Sequence, residues 1–315
     1  MRLRSTAFLC LSLAMIGCQA EPIVRTADPY LRGFTDGNFP RVQELADGVY
    51  SYEELRSAGE EKFTTVSLFV VTSAGVLVAD GQGSIAETQR MIDAIADITN
   101  EPITHVVICS DHGDHTAGNA AFPEGAVFLA HPTSKANLER SAANPNRAAD
   151  APPVIIPTAH VEEEKVLQLG DKEIHVRFLG RAHTGGDLVV YLPAEKILFM
   201  SEAYLNRIFP AMRSAYPSEW VTMIERAQAM DVDVFVPGHG FVESSEVLEE
   251  ELETHRRAVE RVFAEAKRLH DAGVSVEDAV EQAQFGDLEN WSLRASQGPR
   301  AIQRVYLELN GELSR

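Results

Sequence analysis

Short apolar runs alternate with polar, turn-forming stretches through most of this chain, and their spacing sets the first expectations. Val49-Tyr50-Ser51-Tyr52, Val66 to Thr72 and Val76-Leu77-Val78-Ala79 are separated by turn signals, which predicts a meander of strands. Ser84 with Glu87 three residues on has capping-box spacing and opens a helix with Met91, Ile92, Ile95 and Ala96 on its apolar face. Ile103 to Ile108 predicts a buried strand and Val127 to Ala130 another, while Pro132 starts a short helix through Leu138. Ala142 to Pro157, rich in Ala, Asn and Pro, reads as a long loop. Strands resume at Val166 to Leu169, Ile174 to Leu179, Leu188 to Leu192 and Ile197 to Met200. Pro217 begins a helix with Trp220, Met223 or Ile224, Ala227 and Met230 inward, and Val234-Phe235-Val236 makes one more short strand.

The period then lengthens. Ser245 opens a helix to about Asp271, with Leu248, Leu252, Val259, Val262, Phe263, Ala266 and Leu269 as its stripe. Glu residues crowd its start and Lys267, Arg268 and His270 its end, as the helix dipole favours. Gly273 stops it and Ser275 caps the next helix. The order predicts an α/β protein of the α+β kind: two mixed β-sheets with outer helices, followed by a helical appendage over residues 244–315.

Composition narrows the function. A 315-residue chain with 45% hydrophobic and 24% charged residues has material for a full core. The formal net charge of −19 argues against nucleic-acid binding and against charge-driven adhesion to anionic lipid. Residues 1–20 are set apart: Arg2 and Arg4 precede an apolar run from Ala7 to Ile16 too short to span a bilayer. That run ends in Met15-Ile16-Gly17-Cys18, which resembles a bacterial lipobox with Cys18 as the acylated first mature residue; cleavage after Ala20 is the competing reading. Either reading implies export to the periplasm, with membrane contact only through a lipid at Cys18. Residues 21–41 read as a tether. Cys109 is then the one internal cysteine of the mature chain, so no internal disulfide can form.

Candidate chemistry gathers where strands end. Cys109-Ser110-Asp111-His112-Gly113-Asp114-His115 follows the Ile103–Ile108 run and places two imidazoles and a carboxylate within four residues. His183 lies in His-Thr-Gly-Gly-Asp after another strand, Glu202 ends the run from Ile197, and His239 follows Val236-Pro237-Gly238. Imidazoles and carboxylates delivered to one sheet edge suit Zn²⁺ or, less often, iron. Tyr204, Arg207 and Arg213 could bind a substrate's carboxylate or phosphate. His105, His131, His160, His255 and His270 read as structural, with His131, His255 and His270 at the surface or at helix ends.

From Val42 to Glu243 the chain resembles the metallo-β-lactamase-fold superfamily, an αββα sandwich. His112, Asp114, His115, His183 and His239 match its His-x-His-x-Asp-His, His-Thr-x-Gly-Asp and late Gly-His elements. Two positions depart: Ser110 stands for the first motif histidine, and Glu202 for the metal-bridging aspartate. The resemblance implies one site of Asp114, His115 and His239, and another reduced to His112 and His183 beside Ser110. It also gives Asp80 a supporting role behind the ligand loops. The expectation is therefore one tight Zn²⁺ site, the second weak or absent, with Glu202 as bridge or base.

The resemblance implies hydrolysis of an ester, lactone or amide, β-lactams included, by a metal-activated water. Asp114 would orient that water, and His183 would stabilise the oxyanion if no metal fills its site. Two alternatives stay open: a low-turnover metal-binding or sensing protein derived from a hydrolase, and an iron-dependent sulfur oxygenase.

Overall fold

The computed structural model describes residues 24–313, so the leader with Cys18 lies outside the described residues. Four strands come first: β1 (Arg41–Ala46), β2 (Val49–Ala58), β3 (Glu61–Thr72) and β4 (Gly75–Ala79). Then follow α1 (Ile85–Ile98), β5 (Ile103–Ile108), the single turn α2 (Gly113–Thr116), β6 (Val127–Ala130), α3 (Pro132–Ala142) and β7 (Ala159–His160). The second half contains β8 (Glu164–Leu169), β9 (Lys172–Phe178), β10 (Leu188–Leu192), β11 (Ile197–Leu205), α4 (Pro217–Gln228) and β12 (Val234–His239). It ends with α5 (Ser245–Asp271), α6 (Val276–Gln282) and α7 (Arg294–Leu309).

The strands curl into one mixed sheet ordered β7-β6-β5-β4-β3-β12-β11-β10-β9-β8, with β2 pairing β3 and β1 pairing β2. Its halves behave as the two expected layers, because β3 and β12 join through a single register pair, Thr65 opposite His239. Strand alternation divides the core. Leu77, Ala79, Val107 and Cys109 face the space between the layers, with Leu68, Val176, Leu188 and Val190. Val76, Val78, Val106 and Ile108 face outward onto Met91 and Ile95 of α1 and Leu138 of α3. Ser84 caps α1 by accepting from the Glu87 backbone N–H, but the Glu87 carboxylate turns to Arg56 and does not close a capping box.

Both ends of the described chain are more integrated than the pattern predicts. The expected tether is docked from residue 24 onward. Phe34 stacks on Phe241 at 5.3 Å between ring centroids, Arg32 pairs with Glu243, and Arg25 pairs with Glu250 and Glu251. The expected appendage completes the outer helical layer: α5 buries Leu248, Leu252, Val259, Val262 and Ala266 in the core shared with β11 and β12. Among the described residues, no helix is long and apolar enough to cross a membrane.

Candidate metal centre

The site is assembled at the ends of β4, β5 and β12 and on the body of β11. Asp80, just past β4, holds a left-handed backbone at φ 62°, rare for a non-glycine residue and costly unless neighbours enforce it. Its Oδ1 accepts the Cys109 N–H at 2.7 Å and the Ser110 N–H at 3.3 Å. Its Oδ2 accepts the Ser201 hydroxyl and lies 3.1 Å from His115 Nδ1. One buried carboxylate thus ties the β5 exit, the middle of β11 and the α2 turn together, as the supporting role expected of Asp80 requires. Asp187 performs the same task for the loop carrying His183, accepting from Ala182 N and from the amide and hydroxyl of Thr184. Burial pushes the Asp187 carboxyl up to about 7, against those bonds. At β12, a Cβ on Gly238 would stand 2.3 Å from the Ser201 carbonyl carbon, so only glycine lets β12 approach β11 there. His239 Nδ1 donates to the Thr64 carbonyl at 2.9 Å, which turns its Nε2 into the cluster.

Six side chains meet. His239 Nε2 lies 3.3 Å from His115 Nε2 and 3.3 Å from Asp114 Oδ2. His183 Nε2 lies 3.0 Å from His112 Nδ1. Glu202 reaches between the two groups. Its Oε2 is 2.9 Å from His112 Nδ1, and its Oε1 is 3.1 Å from His183 Nε2 and 3.3 Å from His239 Nε2. Ser110 Oγ donates to Glu202 Oε2 at 2.5 Å. A tetrahedral ion with bonds of about 2.0–2.1 Å separates its ligands by about 3.3–3.4 Å, so the His239–His115 and His239–Asp114 spacings match two edges of such a polyhedron. The donors form two overlapping sets, Asp114/His115/Glu202/His239 and His112/His183/Glu202, each with its atoms within 4.8 Å of one another.

Ser110 donates to Glu202, and Glu202, expected as bridge or base, stands as the third donor beside the His112/His183 pair. The extra methylene of Glu202 carries its carboxylate into room left by the small Ser110. Burial alone would raise the Glu202 carboxyl, but the imidazoles of His183, His112 and His115 hold it well below the usual carboxylate range. Burial likewise opposes charge on His112 and His239, yet Glu202 lifts the first to about 9, and Asp114 with Glu202 lifts the second to about 10.

Above the cluster opens a cavity of about 160 Å³. Asp114, His183, Glu202 and His239 line it, and Arg213, Gln297 and Arg300 supply polar groups. Of the three residues read as substrate contacts, only Arg213 lines it. Tyr204 is buried within β11, its hydroxyl donating to Leu248 O, because the strand continues past Glu202 to Leu205. Arg207 is engaged by Glu251, with its Nη2 at 2.8 Å from Oε1. His255, read as a surface or helix-end residue, is fully buried behind Trp220. Sequence reasoning missed Gln297 and Arg300, although Leu293, Gln297 and Arg300 stand at i, i+4 and i+7, one face of a helix.

A family profile described as "Metallo-beta-lactamase superfamily" matches residues 63–239, more than half of the chain. The chain belongs to this superfamily. Its relatives include a metallo-beta-lactamase type 2 of Bacillus cereus, 24% identical over 206 residues, 64% of this chain and 77% of that protein. The alpha subunit of a 2,4-dinitroanisole O-demethylase of Nocardioides sp. (strain JS1661) is 23% identical over 63% of this chain and 55% of that protein. Among solved structures, a metallo-beta-lactamase from Pontibacter korlensis superposes with a TM-score of 0.61 at 19% identity, covering 70% of this chain and 98% of its own. Metallo-beta-lactamases are hydrolases, and the superfamily match assigns this chain to that metal-dependent class. The match ends at His239, so α5 to α7, with Gln297 and Arg300, lie beyond it.

Proposed function

We propose that this chain is an exported zinc-dependent hydrolase of small carbonyl compounds, an ester, lactone or amide, with one tight metal site at Asp114, His115 and His239. The observation that carries the reading is the tetrahedral-edge spacing of His239 to both His115 and Asp114 beneath a cavity, beside a buried carboxylate. Zinc bound there supplies a water of pKa near ~7 and an electrophile for the carbonyl oxygen. The remaining steps belong to side chains. Asp114 orients the attacking water and receives its proton. The water oxygen bonds to the carbonyl carbon, the bond to the leaving oxygen or nitrogen breaks, and the proton passes to that leaving group. His183, held by the Asp187-braced loop, faces the developing oxyanion. Export rests on residues 1–20, and anchoring on Cys18: replacing Cys18 by Ala should move the protein from the membrane to the soluble fraction.

One observation favours a low-turnover metal-binding protein instead. Glu202 contacts His112, His183 and His239 at once, so the cluster partly satisfies itself. Metal analysis with a panel of chromogenic esters, lactones and a β-lactam decides between them. The hydrolase reading expects about one tightly held zinc per chain and chelator-sensitive turnover of at least one substrate. Full metal with no turnover would establish the binding protein, and turnover by stripped protein would remove the metal from the reaction.

A further inference from the structure

Arginines in this chain are almost all accounted for. With 47 acidic residues against 28 lysines and arginines, cations find partners readily. Among the described residues, every arginine but two has a carboxylate, side-chain amide or backbone carbonyl within bonding distance. The two without such a partner are Arg213 and Arg300, and both line the cavity above the metal cluster. They come from different elements, Arg213 from the loop between β11 and α4 and Arg300 from α7.

The two elements are fastened to each other. Arg304, one turn beyond Arg300, donates from Nε to Ala215 O at 2.5 Å and from Nη2 to Ser214 O at 3.2 Å. Ser218, opening α4, is held by Glu308 of the same helix. Helix α7 therefore fixes the backbone that presents Arg213 while it presents Arg300 and Gln297 itself. A guanidinium is a rigid fork matched to a carboxylate, and placing two on a fixed frame lowers the ordering cost of binding one.

We infer that Arg213 and Arg300 form an anion subsite, and that the substrate is a small carbonyl compound bearing a carboxylate that this pair holds while Asp114 and His183 address the scissile bond. The inference rests on the hydrolase reading for the reaction but not for the binding. A monoanionic carboxylate fits better than a phosphate dianion, because Asp114 and Glu202 line the same cavity in a chain of formal charge −19.

The test compares mono-4-nitrophenyl adipate with 4-nitrophenyl hexanoate, which differ by one terminal carboxylate, on zinc-loaded protein. The expected result is a preference for the adipate ester in kcat/KM. That preference ratio should fall about tenfold in Arg213→Ala and in Arg300→Ala. Arg257→Ala, which removes an exposed cation of α5, should keep the ratio. No preference in the parent protein, or an equal fall with Arg257→Ala, overturns the subsite. If neither ester is turned over, calorimetry with adipate reads the same site: binding weakened about tenfold in each cavity variant keeps it while the hydrolytic reading fails. Absent or unaltered adipate binding overturns it, and tighter binding of hexylphosphonate than of adipate overturns the carboxylate assignment.

Discussion

The two sides of the metal cluster use the same residue types but are braced differently. On one side, His239 is fixed by the Thr64 carbonyl, and His115 lies against the strained, fully buried Asp80. On the other, among the described residues, His183 Nδ1 has no hydrogen-bond partner, and His112 Nε2 faces Ser214 Oγ at 3.2 Å on the β11–α4 loop. Outer partners set ring orientation and ligand basicity, so the first side has His239 fixed by a backbone acceptor, while on the second the Asp187-braced loop carries His183 without a ring partner at Nδ1 and His112 depends on Glu202 and on a loop fastened by α7. A motif that has lost one ligand thus keeps its chemistry on the better-supported side.

The largest expected effect tests that asymmetry directly. His239→Ala or Asp114→Ala should reduce bound zinc to a small fraction of an equivalent and cut turnover by about a thousandfold or more, about 4 kcal/mol. His112→Ala should leave the tight metal in place. Metal content by mass spectrometry of the native protein reads both, and a greater loss of zinc from His112→Ala than from His239→Ala would invert the comparison.

Next in size is the bracing itself. Asp80→Asn keeps the volume but removes the charge that the Cys109 and Ser110 amides and the Ser201 hydroxyl donate to. Loss of such a supporting carboxylate costs about 10–100-fold in metal affinity. A chelator competition should show that loss on the Asp114–His115–His239 side, together with a lower Tm. An unchanged affinity would mean that backbone geometry alone places His115.

The histidine missing from the motif gives a third test, and the structure alters what it must contain. Ser110 is fully buried and 2.5 Å from Glu202, so an imidazole there competes with the carboxylate for one volume. Ser110→His alone should lose about 1–3 kcal/mol by overpacking and gain no metal. Ser110→His with Glu202→Asp returns both lengths and should bind a second zinc without that loss. Two equivalents in the single variant would show that Glu202 can retract.

Much of this was legible where local pattern decides it. Alternation assigned Val76 to Ala79 and Ile103 to Ile108, and the strand-end motifs located Asp114, His115, His183 and His239, because chain direction puts those ends on one edge. What failed was long-range or masked. The run from Ile197 was expected to stop near Met200, since Glu202 reads as a strand terminator; yet the imidazoles stabilise its buried charge, so β11 continues and takes Tyr204 inside. His255 fills the i+3/i+4 stripe between Leu252 and Val259, a signal outweighed by its polarity. Docking of Phe34 on Phe241 has no local period and could not be read. Arg300 became visible only once α7 was known to turn back over the cavity.

The smallest expected effect separates ring support from metal ligation on the weaker side. Ser214→Ala removes the hydroxyl facing His112 Nε2 and leaves the backbone carbonyl of Ser214, which Arg304 holds, in place. One such neutral hydrogen bond is worth about 0.5–1.5 kcal/mol, so occupancy of the His112/His183/Glu202 set should weaken about two- to tenfold. Zinc at Asp114, His115 and His239 should not respond, because the Ser214 hydroxyl bonds to His112, whereas His239 is held by the Thr64 carbonyl and His115 lies against Asp80. Two-step chelator titration resolves the sets. If both weaken together, Glu202 couples them into one unit and the two sides are not separable; if only the weaker one moves, the loop that carries Arg213 also tunes its metal.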